Sequence, residues 1–205
     1  MDRAQKFGLL LAAVLLNSLG YAAIQWLRPT GVVVTTWVDS LVPFLPIFVI
    51  PYALYVPLVL LPFLLLWKDD SYPRMAAGMI LCLGISLLVY LVFQTSVLRP
   101  EVEVTDLWTW AVSLFYAGDR PLNVYPSLHV SMSLLATLFI AERRPRAGML
   151  LAPLTALVAL STVFIRQHAI VDVAGGIALA LAIFWTRKTW GPALRGTGKG
   201  GKKAF

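Results

Sequence analysis

The chain has 205 residues, of which 59% are hydrophobic and only 13% charged, about half the ~25% charged share of a soluble domain, so the composition excludes a water-soluble globular protein. A net charge of +7 would suggest nucleic acid in a soluble chain, but here the distribution of basic residues says more than their sum, and no nucleic-acid partner is expected. The single cysteine, Cys82, rules out an intrachain disulfide and reads as a small apolar packing residue.

Apolar runs predict an all-α integral membrane fold of six transmembrane helices, at about 7–27, 41–67, 75–98, 127–141, 147–165 and 169–186. The first run is uncharged from Phe7 to Leu27, 21 residues. It is too long for a signal-peptide core and lacks an Ala-x-Ala cleavage site, so it reads as a retained span. The second holds Pro43, Pro46, Pro51, Pro57 and Pro62. Each lacks a backbone donor, which predicts a proline-kinked span or an interfacial piece followed by a span. The third is uncharged from Met75 to Leu98, 24 residues. Leu107–Ala117 is too short to cross, and with Trp108 and Trp110 it is expected at the membrane interface.

With six spans, thirteen of the seventeen basic residues fall on the side of the two termini, and only Arg28, Arg99, Arg120 and Arg166 fall on the other. The positive-inside rule then predicts both termini in the cytoplasm. Residues 1–190 are expected to form one transmembrane catalytic domain with its site motifs within 99–172, and 191–205 a basic, glycine-rich cytoplasmic tail.

Three of the four outer arginines lie beside the chain's two histidines. Arg99 ends "QTSVLRP", Arg120 precedes "PLNVYPSLH", and Arg166 lies in "STVFIRQHAIVDV". In "YPSLHVS", Pro126 and Ser127 are helix-start residues. A helix beginning there turns free amides and its positive dipole end toward an anion, with His129 in its first turn. In "HAIVD", His168 and Asp172 are four residues apart and share a face if helical. A carboxylate inside an apolar span costs about 2.5–3.5 kcal/mol unless it finds a partner, and His168 is the nearest candidate. A carboxylate holding one imidazole nitrogen leaves the other free to act as a nucleophile or metal ligand. His-Glu-x-x-His spacing is absent, and three arginines repel a cation; neither metal nor cofactor is expected, and the site reads as a phosphate site. Asp119 and Asn123 in "DRPLN" are expected to shape the loop or contact substrate. Gly175 and Gly176 are expected to allow close helix packing beside the site.

In order, "RP" at Arg99 and Pro100, "PSLH" at Pro126 to His129 and "HAIVD" at His168 to Asp172 resemble the three motifs of the type 2 phosphatidic acid phosphatase superfamily. The resemblance covers about residues 75–185. Val92, Leu128 and Thr162 stand where that family has lysine, glycine and arginine, and Arg166 is a neighbouring substitute for the last. The motif style is similar to the branch of inositol phosphorylceramide synthases. The resemblance implies catalytic His168, His129 and Asp172, with phosphate bound by Arg99, Ser127, Arg166 and Arg120, and a phosphohistidine formed on His168 without metal.

The leading expectation is a membrane phosphatase acting on an isoprenoid or glycerolipid phosphate or diphosphate at the extracytoplasmic face. One alternative is a phosphotransferase that moves a phospho-headgroup to a hydroxyl acceptor; another is a transporter of anionic lipid. Small size and the lack of appended domains point to a bacterial plasma membrane with the site facing the periplasm or exterior. The sequence leaves oligomeric state open.

Overall fold

The computed structural model describes residues 1–187; the tail expected at 191–205 lies outside the described residues. Helix α1 (Arg3–Leu15) opens on a capping box, Asp2 accepting the Gln5 amide at 2.8 Å and the Gln5 side chain accepting the Asp2 amide at 3.1 Å. It continues through a π-helical turn at Leu16–Gly20 into α2 (Tyr21–Leu27). Strand β1 (Val32–Val33), the short helix α3 (Trp37–Ser40) and a 3-10 turn at Pro46–Phe48 lead to α4 (Val49–Ala53) and α5 (Tyr55–Leu65). A single turn residue, Leu54, separates α4 from α5 within the proline-rich stretch.

Helix α6 (Tyr72–Val92) is followed by β2 (Thr95–Ser96), α7 (Leu107–Gly118), α8 (Leu128–Arg143), α9 (Pro145–Phe164) and α10 (Ile170–Thr186). Four stretches, Arg3–Leu27, Pro46–Leu65, Tyr72–Val92 and Pro145–Phe164, are long and apolar enough to cross a bilayer. The protein is therefore a mostly helical, integral membrane protein.

Two expectations are modified. The third helix stops at Val92, and residues 94–96 are extended: β2 pairs in parallel with β1, Val32 opposite Thr95 and Val33 opposite Ser96. The reason is the buried Gln94, whose side-chain oxygen accepts the Thr95 and Asn123 amides at 3.1 and 3.0 Å and whose amide donates to Asn123 Oδ1 at 2.7 Å. These bonds replace a continuing helix. The fourth and sixth expected spans are α8 and α10, of 16 and 17 residues. At 1.5 Å per residue α8 is about 24 Å long, short of a ~30 Å hydrocarbon core. It packs against α5, α6, α9 and α10 at the centre of the fold. That shielding lets it keep Ser131, Ser133 and Thr137 buried, the last 2.6 Å from the Thr155 hydroxyl of α9.

The far end of α8 meets a polar belt. Arg143 pairs with Asp69 at 2.9 Å, Arg187 with Glu142 at 3.0 Å, and Lys6 donates to the Trp67 carbonyl at 2.5 Å. Burial acts to raise the Asp69 carboxyl, but the Ser71 amide, donating at 2.8 Å, and the Arg143 guanidinium outweigh that and hold it below its usual range. Arg99, His129 and His168 lie at the opposite end, beyond the close of α6 and at the starts of α8 and α10.

Candidate active site

The end of α9 aims His168. Gln167 N–H bonds to Thr162 O at 2.8 Å and Arg166 N–H to Val163 O at 3.0 Å, the two bonds of a Schellman cap. Such a cap needs a left-handed residue, and Arg166 supplies it at φ 55°, where glycine is the usual occupant. The strain is offset because the Arg166 guanidinium donates to the carbonyls of Asp39 and Val42. Asp39, only 3% exposed, closes the arrangement by accepting the Ile170 amide at 2.8 Å at the start of α10. Burial acts to raise the Asp39 carboxyl. Donors from Ile170 and Thr36, with the Arg166 charge, outweigh that and hold it below the usual carboxylate range.

His168 therefore sits in the bend before α10 rather than on the helix. Its Nδ1 lies 3.5 Å from Asp172 Oδ2, longer than a hydrogen bond, and has no hydrogen-bond partner among the described residues. The same Asp172 oxygen accepts the Ala169 amide at 2.8 Å, and Asp172 is fully buried. Ser127 caps α8, its hydroxyl 3.4 Å from the Val130 amide, and its own amide bonds to the Asp172 carbonyl at 3.0 Å. That bond ties the starts of α8 and α10 together. His129 Nδ1 lies 3.2 Å from His168 Nε2. Tyr52 stacks on the His129 ring at 4.6 Å, and Tyr55 tilts against it at 4.4 Å.

The close approach of α10 to α8 depends on the glycine pair. A Cβ on Gly176 would stand 2.7 Å from the Ser127 carbonyl oxygen, and one on Gly175 would stand 2.5 Å from the Tyr125 ring.

Both histidines line a cavity of about 200 Å³, together with Tyr52, Tyr55, Asp119 and Asn123. Asn123, at φ 58°, is held by Gln94 and donates to the Tyr21 carbonyl at 3.2 Å; asparagine tolerates this conformation better than most residues. Asp119 accepts the Tyr21 hydroxyl at 3.2 Å and the Gln25 amide at 2.9 Å.

Among the described residues that line the cavity there is no arginine. Arg99 stands behind it, donating to Gln167 Oε1 and, at 2.6 Å, to the Asp119 carbonyl, with its guanidinium 4.6 Å from the Tyr116 ring centre. Burial pushes the Tyr116 phenol up to about 12, so it stays a donor, bonded to the Ile165 carbonyl at 2.7 Å. Besides His168 Nδ1, the buried Arg99 Nε and Gln167 Nε2 have no partner among the described residues. Arg120 is exposed, with one long bond, 3.4 Å, to the Gln25 carbonyl.

A sequence profile of the PAP2 superfamily matches residues 25–186. The chain belongs to the PAP2 superfamily. Comparison with curated proteins and with solved structures found no match. Superfamily members are phosphatases, which supports an enzyme with phosphatase or phosphotransferase-type activity on phosphate esters.

The two-histidine end of this PAP2 chain also contains residues that sequence reading missed. Tyr52 and Tyr55 come from the proline-rich stretch, whose apolar run conceals them. Asp39 and Gln167 carry no motif signal at all, although an acidic residue flanked by apolar sequence and a glutamine beside a histidine were visible clues.

Proposed function

We propose that the protein is a membrane lipid phosphatase that hydrolyses a lipid phosphate or diphosphate through a phosphohistidine on His168. The observation that carries this reading is the line Asp172, His168, His129, with separations of 3.5 and 3.2 Å, opening on a cavity. In the first step the Nε2 lone pair of His168 attacks phosphorus, the P–O bond to the lipid breaks, and protonated His129 gives its proton to the departing oxygen. Asp172 faces the positive charge that develops on the His168 ring. In the second step His129 takes a proton from water, the new O–P bond forms, and the N–P bond breaks to release phosphate.

In this reading charge on the phosphoryl oxygens is met by Arg99 and Gln167, whose buried Nε and Nε2 donors have no partner among the described residues, and by Ser127 with the first amides of α8. In this scheme Arg120, being exposed, reaches the headgroup as substrate enters. Arg166 serves chiefly to hold the turn before His168, since its guanidinium is already bonded to two carbonyls. Asp119 and Asn123 shape the cavity wall. Because cationic side chains supply the positive charge, the reaction needs no metal.

The same proposal takes α8 and α10 as the fourth and sixth spans, shortened by their central position, and puts both termini in the cytoplasm. The polar belt at the far end of α8 supports that orientation. It leaves the histidines at the extracytoplasmic face of what we take to be a bacterial plasma membrane.

The test is phosphate release from a panel of lipid phosphates by purified protein, beside His168→Ala and with product lipids resolved by mass. Free phosphate from the wild type, lost in His168→Ala, is the expected result. A new phospholipid without free phosphate would make the protein a transferase, as in the inositol phosphorylceramide synthase-like branch. Headgroup binding and transport that survive His168→Ala, with no turnover, would make it a transporter.

A further inference from the structure

The first helix changes its winding at Leu16–Gly20, where five residues adopt π geometry. Such turns inside helices occur disproportionately at functional sites. This one holds Asn17 and Ser18, adjacent polar residues within the 25-residue apolar stretch Arg3–Leu27. Both line the histidine cavity, and both also line a second cavity of about 280 Å³. Tyr55, whose ring lies against His129, is the other residue common to the two cavities.

The rest of the second cavity is apolar. Leu10 and Val14 of α1 face Val56, Leu60 and Phe63 of α5 across it, and Val14, Val56 and Leu60 are exposed on the outside of the bundle. The cavity therefore lies between α1 and α5 and reaches the lipid-facing surface. Its volume is at the low end of ligand sites, ~300–1,000 Å³, which suits one chain rather than two.

Neither the Asn17 nor the Ser18 side chain hydrogen-bonds to another described residue. A hydroxyl on an apolar helix ordinarily donates to the carbonyl four residues back, as Thr155 does to Leu151 at 3.1 Å. Ser18 makes no such bond. Asn17 is half-buried and Ser18 exposed, so it is their position at the joint between a polar and an apolar chamber that sets them to meet a ligand polar at that point.

We propose that Asn17 and Ser18 form a polar collar that selects single-chain lipid phosphates bearing a hydroxyl, ester or amide a few bonds from the phosphate. The phosphate lies at His168, the polar linkage at the collar, and the hydrocarbon chain in the cavity between α1 and α5. This rests on the phosphate-ester reading of the histidine site and deepens it: a prenyl phosphate would lay hydrocarbon against both polar groups, whereas a monoacyl glycerol phosphate would satisfy them.

The test reads binding, so its failure is separable from failure of the phosphohistidine reading. Two phosphonates that cannot transfer a phosphoryl group, one of monoacyl glycerol phosphate and one of farnesyl phosphate, are titrated calorimetrically into the full chain in detergent. The same titrations use Asn17→Leu and Ser18→Ala. The wild type is expected to prefer the glycerol ligand, and that preference should fall about tenfold in Asn17→Leu and several-fold in Ser18→Ala, tenfold being about 1.4 kcal/mol. A wild type that prefers the farnesyl ligand or binds neither, or a preference unchanged in both variants, overturns the collar. A wild-type preference retained in His168→Ala, with the expected loss in the collar variants, supports the collar whether or not the protein turns over phosphate.

Discussion

Asp172→Asn separates charge from architecture at the candidate site. The asparagine carbonyl can still accept the Ala169 amide now bonded at 2.8 Å, so the start of α10 is preserved. What disappears is the negative charge 3.5 Å from His168 Nδ1. At an effective dielectric of ~20, unit charges at that separation interact by about 5 kcal/mol. If His168 becomes positively charged as it attacks phosphorus, the variant should lose roughly three orders of magnitude in kcat, at about 1.4 kcal/mol per tenfold. The assay is single-turnover release of product from a radiolabelled lipid phosphate, with the phosphohistidine trapped at high pH and counted. Asp172→Ala should be as slow and in addition less stable, by about 1 kcal/mol for the lost cap, seen as a lower midpoint of thermal unfolding in detergent. A rate within tenfold of wild type in Asp172→Asn, with the fold intact, would refute the assignment of Asp172 as partner to a cationic His168.

The other predictions concern the supports of the site and its chemistry. Because the Asp39 carboxyl is held below its ordinary range, its stabilising effect is complete above the unfolded-state value of ~3.9 and is lost as pH falls through the lower folded-state value. Thermal stability in detergent should therefore fall more steeply below about pH 4 in the wild type than in Asp39→Asn; equal slopes would argue against the link between Asp39 and α10. Gly176→Ala places a Cβ 2.7 Å from the Ser127 carbonyl, a backbone atom that cannot swing aside, and should cost about 1–3 kcal/mol. It should also depress kcat as His129 moves with the start of α8, and an unaltered unfolding midpoint and rate would contradict the packing argument. Activity should survive a large excess of EDTA, since the proposed phosphate cradle is built from Arg99, Gln167 and amides; restoration of a lost rate by a divalent ion would sink that cradle.

Much of the architecture was readable from local chemistry. Length and apolarity mark a helix for the bilayer wherever it lies in the fold, so Arg3–Leu27 and Tyr72–Val92 declare themselves from composition. Proline and serine at 126 and 127 announce the start of α8 because capping is settled within one turn. The separation of His168 and Asp172 was legible for a similar reason, although the bend that carries His168 was not: a left-handed arginine at 166 is affordable only through carbonyls contributed by Asp39 and Val42.

Packing decided the rest. Asp39 meets Ile170 across 131 positions of sequence, and Tyr52 and Tyr55 reach His129 only because α5 lies beside α8. The arginines show the division most clearly. Their positions along the chain placed all three near the histidines, but a long flexible side chain goes to whichever acceptor the assembled fold offers. Arg166 is taken up by backbone carbonyls, Arg99 by Gln167 and Asp119, and Arg120 remains exposed. Apolar periodicity and helix caps are local and survive in the linear sequence; the two adjoining cavities, with Asn17 and Ser18 at their joint, exist only once distant helices have set their spacing.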